Sequence, residues 1–344
     1  MTPPLATVGD RNDGWGPLPG HNDYNRASPI SQLPTWPPQL TGEHSPKTIE
    51  KKPYMLETPR KWLYEWSTRR KAEHRLAELD QFLRTEDAIL LVHQMGRAGS
   101  MTTVNSLRKI GVGLPVYHTH WLNPESVQRR MKWVNHLPES RRPLNVRVGQ
   151  KLTEELQRDG TSRRHWNIVT VFREPIARNV SVFFLSIDAF VEDFERRYRS
   201  GELDHAKLLE IFLERFPHEQ PLDWFDREMR DVFDIDVYTD PFPQDQGYQI
   251  LRTRGADLLL IKLEQLDHCH AEAFRDFLGI DMPGLAQTHI TEKDPSRPMY
   301  KDFVRQAVLP DEYLDRMYQS RFARHFYTDT ELAGFRKKWS SSTP

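Results

Sequence analysis

Three clusters of residues in this chain have the types and spacing to handle anions and protons. The first is Gly96-Arg97-Ala98-Gly99-Ser100-Met101-Thr102-Thr103. Glycine lets the backbone turn tightly and approach a ligand, amides at a helix start attract anions, and Ser100, Thr102 and Thr103 add hydroxyl donors. Such a loop cradles a phosphate; the alternative is a tight turn that only starts a core helix. It differs from the ATP-binding loop G-x-x-x-x-G-K-[ST], because Ser100 and Met101 follow Gly99, which disfavours a magnesium-dependent nucleoside-triphosphate kinase. The second cluster is Arg173-Glu174-Pro175-Ile176-Ala177-Arg178-Asn179-Val180-Ser181. Arg173 and Ser181, two helical turns apart, can converge on one dianion through charge-assisted hydrogen bonds. The alternative is that Arg173 pairs with Glu174 or Glu264. Two phosphate sites at neighbouring strand ends predict a doubly phosphorylated nucleotide. The third cluster is His118-Thr119-His120. Alternate residues of an extended chain share a face, so both imidazoles point to one rim of the sheet, with a structural role as the alternative.

Each cluster needs an element to hold it. AILLVHQM (88–95) reads as a strand buried on both faces, and Gly96 and Gly99 follow at once. Ser100 is expected to cap a helix reaching about Lys109 and stopped by Gly111 and Gly113, after which LPVYHTH (114–120) resumes as a strand. NIVTVF (167–172) is a third strand, and Pro175 suits the first turn of a helix carrying Arg178 and Ser181. ADLLLIKLEQL (256–266) gives another. Strand, glycine loop, helix and strand in succession imply a parallel sheet with right-handed crossovers. Leu76, Leu79, Phe82 and Leu83 form the apolar stripe of a surface helix, and 188–235 and 271–339 read as mainly helical with a loop around Pro295 and Pro298. Trp224 and Phe225 read as core. The expected fold class is α/β: a P-loop-like parallel sheet flanked by helices, with helical insertions.

Composition bounds the partners. Lys plus Arg is 48 and Asp plus Glu 49 over 344 residues, a net charge of −1, which argues against nucleic-acid coating and polybasic membrane binding. A lone cysteine, Cys269, excludes an intrachain disulfide and a cysteine metal cluster. No H-E-x-x-H occurs, and His268 and His270 read as helix-start residues, so no metal is expected. Apolar runs fall short of the ~20 residues that span a bilayer, and no signal pattern opens the chain. The expectation is a cytoplasmic protein with no nucleic-acid partner and no stable membrane insertion. Nine of the 25 prolines lie in residues 1–50 with few aliphatics, which predicts a disordered leader before one domain over 51–344.

The two anion clusters resemble the signatures of the sulfotransferase superfamily. These are a 5′-phosphosulfate loop of K-x-G-[ST]-T type and a 3′-phosphate motif of R-[DE]-P-x-x-R-x-x-S type, the second with every fixed position in register. WFDREMRDVFDIDVY (224–238), GYQIL (247–251), DLLLIKLEQL (257–266) and YLDRMYQSRFARHFYTDTEL (313–332) resemble a bacterial family labelled capsular polysaccharide synthesis proteins, itself sulfotransferase-like. The resemblance runs from about Ala88 to Trp339. It implies a sulfotransferase fold binding 3′-phosphoadenosine 5′-phosphosulfate. Arg97, Ala98, Gly99, Ser100, Met101, Thr102 and Thr103 would surround the 5′-phosphosulfate, Arg173 and Ser181 the 3′-phosphate, and Lys293 would lie in a covering loop. Arg97 stands where the family usually has lysine; a guanidinium still offsets charge on the leaving phosphate without surrendering a proton. Sulfuryl transfer to an alcohol needs a base, and the H-x-H at a strand end resembles the pair of uronyl 2-O-sulfotransferases. His120 is thus the expected base, with His118 as accessory. The implied activity is sulfuryl transfer to a hydroxyl of a carbohydrate or glycolipid. The alternative is a non-catalytic nucleotide-binding protein of capsular polysaccharide assembly.

Overall fold

A computed structural model describes residues 59–135, 137–287 and 297–341; the expected leader over 1–50 and Lys293 lie outside the described residues. Five strands, β1 (Ala88–His93), β2 (Val116–Thr119), β3 (His165–Phe172), β4 (Tyr248–Arg252) and β5 (Ala256–Lys262), form one sheet in the order β2-β1-β3-β5-β4. β1, β2, β3 and β5 are parallel, as their apolar runs imply, while β4 runs antiparallel to β5 at the edge. The expected parallel sheet is therefore mixed. β4 escapes the sequence pattern because only Tyr248 of its five residues is fully buried, which leaves no continuous apolar run.

Helices cover both faces. In chain order they are α1 (Pro59–Thr85), α2 (Ser100–Ile110), α3 (Pro124–Val134), α4 (Leu144–Asp159), α5 (Pro175–Leu185), α6 (Phe194–Arg199), α7 (His205–Arg215) and α8 (Gln220–Phe225). After the π turn Asp226–Arg230 come α9 (Asp231–Phe233), α10 (Leu266–Leu278), α11 (Arg297–Gln306), α12 (Asp311–Tyr318), α13 (Arg321–Phe326) and α14 (Asp329–Ser340). Alternation along the strands sorts the core into two layers. Leu90, Val92, Val169, Val171, Leu259 and Ile261 pack with Val104 and Leu107 of α2 and Phe274 and Phe277 of α10. Ile89, Leu91, Ile168, Leu258 and Leu260 face the larger layer, which includes Leu76 and Leu79 of α1 and Val180 and Phe183 of α5. Pro298 lies inside α11 rather than in the loop expected around it. Among the described residues, no helix is long and apolar enough to cross a membrane.

One feature of the topology positions the site. The chain leaves β1 through α2 toward β2 at one edge, and leaves β3 through α5 on the way to β5 on the other side. The connections diverge between β1 and β3, and outside the carboxyl ends of two such strands a crevice opens where ligands bind in open α/β sheets.

Candidate functional site

The glycine loop fills that switch point. Past β1 the backbone turns through Arg97 and Gly99, both left-handed with φ 70° and 78°. At Arg97 the side chain pays a steric cost that glycine avoids. At Gly99 an added Cβ would come within 3.0 Å of Leu263 Cδ1, in the short 3-10 turn Leu263–Gln265 after β5. Ser100 does not cap α2: Gly99 is the N-cap, with no side-chain cap, and Ser100 is the first helical residue. A helix start without a side-chain cap from its N-cap residue is the kind of place where backbone amides can meet an anion. Thr103 is fully buried, and its hydroxyl donates to the Gly99 carbonyl (3.4 Å), so it serves the helix; Met101 and Thr102 remain partly exposed. Ala98 is buried, and its carbonyl accepts from Gln94 Nε2 at 2.7 Å.

The second motif braces the first. Arg97 Nε donates to Ser181 Oγ at 2.8 Å, while Arg173 Nη1 donates to the Arg97 carbonyl at 3.4 Å. Arg173 and Ser181 thus meet through Arg97, whereas the sequence suggested that the two alone would converge. Arg178 is buried beneath them. It donates to the carbonyl of Gly96 (3.2 Å), Asn179 Oδ1 (3.1 Å) and Gln220 Oε1 (2.7 Å), and burial holds its guanidinium below the usual arginine range. The start of α5 is unlike that of α2. The Glu174 carboxylate accepts from the amides of Ile176 and Ala177, so this helix start is already capped by a negative group. An anion here would be held by Arg173 and Ser181 rather than by backbone.

His120 lies just past β2, 2 % exposed, with its ring edge-on to His118 at a centroid distance of 4.6 Å. The two histidines do share a face. His120 Nδ1 is 2.6 Å from the Gln94 carbonyl, which only accepts, so Nδ1 donates there and a neutral ring has its lone pair on Nε2. Nε2 is turned to the glycine loop, 3.9 Å from where a Cβ on Gly96 would stand. An imidazole in this tautomer, aimed at a phosphate-type loop, can accept a proton there.

Gln94, Glu228 and Trp224 complete this arrangement, and only Trp224 was singled out in the sequence, as core. Gln94, fully buried, ties the loop to β2: its backbone amide donates to Thr119, its side chain to Ala98, and its carbonyl holds His120. Glu228 projects from the π turn, 1 % exposed; its Oε2 accepts from the amides of Leu122 (2.7 Å) and Asn123 (2.9 Å) and lies 3.4 Å from His93 Nε2. Trp224 Nε1 donates to the His120 carbonyl at 3.3 Å. Within acidic and basic neighbours Glu228 reads as a solvated helix face; a π turn, which often marks functional sites, turns it inward.

Glu174 and Glu264 brace the other wall. Glu264 Oε1 accepts from the Glu174 amide (2.9 Å), Tyr327 donates to Glu264 Oε2 (3.2 Å), and Tyr318 donates to Glu174 Oε1 (2.9 Å). Glu264 is exposed, whereas Glu174 is buried. Desolvation raises both carboxyls above the usual range. The native state keeps protons that the unfolded chain releases, so this pair lowers stability as pH rises from ~4.5 through the raised native values. Glu264→Gln cannot ionise and is expected to flatten that fall; urea midpoints across this range check it, and an unchanged slope would contradict it.

Residues 203–328 match the family described as "Putative capsular polysaccharide synthesis protein". No curated protein and no solved structure matches the chain. The match covers less than half of the chain, a narrower span than the resemblance from Ala88 to Trp339. It holds the bracing residues Trp224, Glu228, Glu264, Tyr318 and Tyr327, and it spans Lys293. The glycine loop, His118, His120, Arg173 and Ser181 lie outside it. The capsular match and the glycine loop thus come from different parts of the sequence and pack side by side in the fold.

Proposed function

We propose that the chain is a sulfotransferase that moves the sulfuryl group of 3′-phosphoadenosine 5′-phosphosulfate to a hydroxyl, on a carbohydrate or glycolipid of capsular polysaccharide assembly. One observation carries the reading: Arg97, Arg173 and Ser181 gather at the switch point between two helix starts, with His120 Nε2 facing the same loop. The residues present fit the nucleotide. The uncapped start of α2 and the Arg97 guanidinium suit the 5′-phosphosulfate, and Arg173 with Ser181 suits the 3′-phosphate. When bound, the nucleotide supplies an activated sulfuryl group on a phosphate leaving group.

The chain's own residues do the rest. His120 Nε2 takes the hydroxyl proton as the acceptor oxygen bonds to sulfur, and Arg97 offsets the charge left on the departing phosphate oxygen. The Gln94 carbonyl, as acceptor for Nδ1–H, stabilises the imidazolium that forms. The test is transfer of labelled sulfate from the nucleotide into extracts of the host. Transfer is expected with the parent and lost in Arg173→Ala at limiting nucleotide, because that change weakens nucleotide binding by ~1.5–3 kcal/mol, the scale of a charged hydrogen bond. Nucleotide binding without any transfer would favour a non-catalytic role in capsular polysaccharide assembly.

A further inference from the structure

Arg130 is an enclosed cation without a counter-charge. It stands on α3 with Cζ 5.3 Å from the centroid of the Trp121 ring, and Trp121 in turn meets the His120 imidazole edge-on at 5.3 Å. Its Nε is shut off from solvent and makes no hydrogen bond. Among the described residues, no carboxylate forms an ion pair with it. Two other enclosed arginines are matched by carboxylates, Arg147 by Glu73 at 2.8 and 3.0 Å and Arg164 by Glu155 at 2.6 Å together with the carbonyls of Leu83 and Glu86, while Arg178 is held by three neutral acceptors. On the same helix, the charge of Arg129 acts on Asp223. Among the described residues the Arg130 charge meets the face of Trp121 and no carboxylate, and burial holds the guanidinium below the usual arginine range. The residue as a whole is nevertheless partly exposed rather than sealed in the core.

A desolvated cation is costly unless something pairs with it, and a guanidinium pairs best with a planar or tetrahedral oxyanion that takes two of its N–H groups. Here the unmatched cation lies one indole away from the candidate base, a span comparable with a disaccharide. We propose that Arg130 is the subsite for a negatively charged group on the acceptor, which makes the acceptor an anionic saccharide with its reacting hydroxyl at His120. This rests on the reading of the site as a sulfotransferase site and adds the substrate class to it.

The experiment is calorimetric titration of the full chain, saturated with 3′-phosphoadenosine 5′-phosphate, with cellobiose and with its glucuronic-acid-terminated counterpart. The acid is expected to bind at least about tenfold more tightly, with a preference that weakens as salt is added. Arg130→Met should abolish the preference while leaving nucleotide affinity and melting temperature at parent values, and Arg130→Lys should keep part of it. If the methionine variant melts early, Arg130→Gln serves the same comparison. No preference for the acid in the parent, or a preference that survives loss of the guanidinium, overturns the proposal. Failure of the nucleotide to bind would overturn the sulfotransferase reading instead, and the same two sugars titrated without nucleotide still decide the role of Arg130.

Discussion

His120→Ala lowers kcat for sulfuryl transfer by about 10²-fold or more, the usual scale for loss of a general base. Nucleotide affinity should stay close to the parent value, because the loop, Arg173 and Ser181 are held by other elements. The two readouts separate the base from a structural histidine. Its Nδ1 anchors on Gln94, so an alanine also releases the Gln94 carbonyl, and a fall in nucleotide affinity equal to the fall in kcat would mean that His120 shapes the loop rather than taking a proton. His118→Ala is expected to be milder, its ring serving as an edge-on neighbour. Normal turnover by His120→Ala with a dead His118→Ala would exchange the two roles.

The second large effect concerns Glu228. A single carboxylate oxygen serves the amides of Leu122 and Asn123, which lead directly away from His120, and faces His93 at the end of β1. Glu228→Ala strands both amides where water has little access, and each unmatched donor costs about 1–3 kcal/mol. Glu228→Gln keeps an acceptor oxygen of the same reach and should hold both. The expected order of urea midpoints is parent, then glutamine close behind, then alanine lower by ~2–4 kcal/mol in stability. Turnover should follow the same order, since the segment that carries His120 loosens with its anchor. Equal stability of the alanine and glutamine variants would show that the carboxylate does not organise this turn.

Much of the sheet was legible because a strand buried on both faces leaves an uninterrupted apolar run. Ala88–His93 and Ala256–Lys262 carry one, His165–Phe172 carries one broken only by the buried Thr170 between Val169 and Val171, and Gly96 and Gly99 mark where the first ends. Tyr248–Arg252 carries none: an edge strand with half-exposed residues has no signature of its own, and its partner β5 defines it. The pairing of His118 with His120 followed from alternation alone. The contact of Arg97 with Ser181 did not, because it depends on two loops brought together by the order β1-β3 in the sheet, which no local pattern encodes. Glu228 was hidden for the same reason. Its neighbours Asp226, Arg227 and Arg230 advertise a solvated face, and the π turn that turns it inward is a product of packing against β1 and the segment after β2.

The most direct test of the central claim is whether the site reads a 3′-phosphate. Calorimetric affinities of the parent for 3′-phosphoadenosine 5′-phosphate and for adenosine 5′-phosphate differ by that group alone. With Arg173 and Ser181 at the 3′-phosphate, the doubly phosphorylated nucleotide should bind more tightly by ~1.5–3 kcal/mol, roughly 10- to 150-fold, and Arg173→Ala should remove most of the difference. Equal affinity for the two nucleotides would contradict the account.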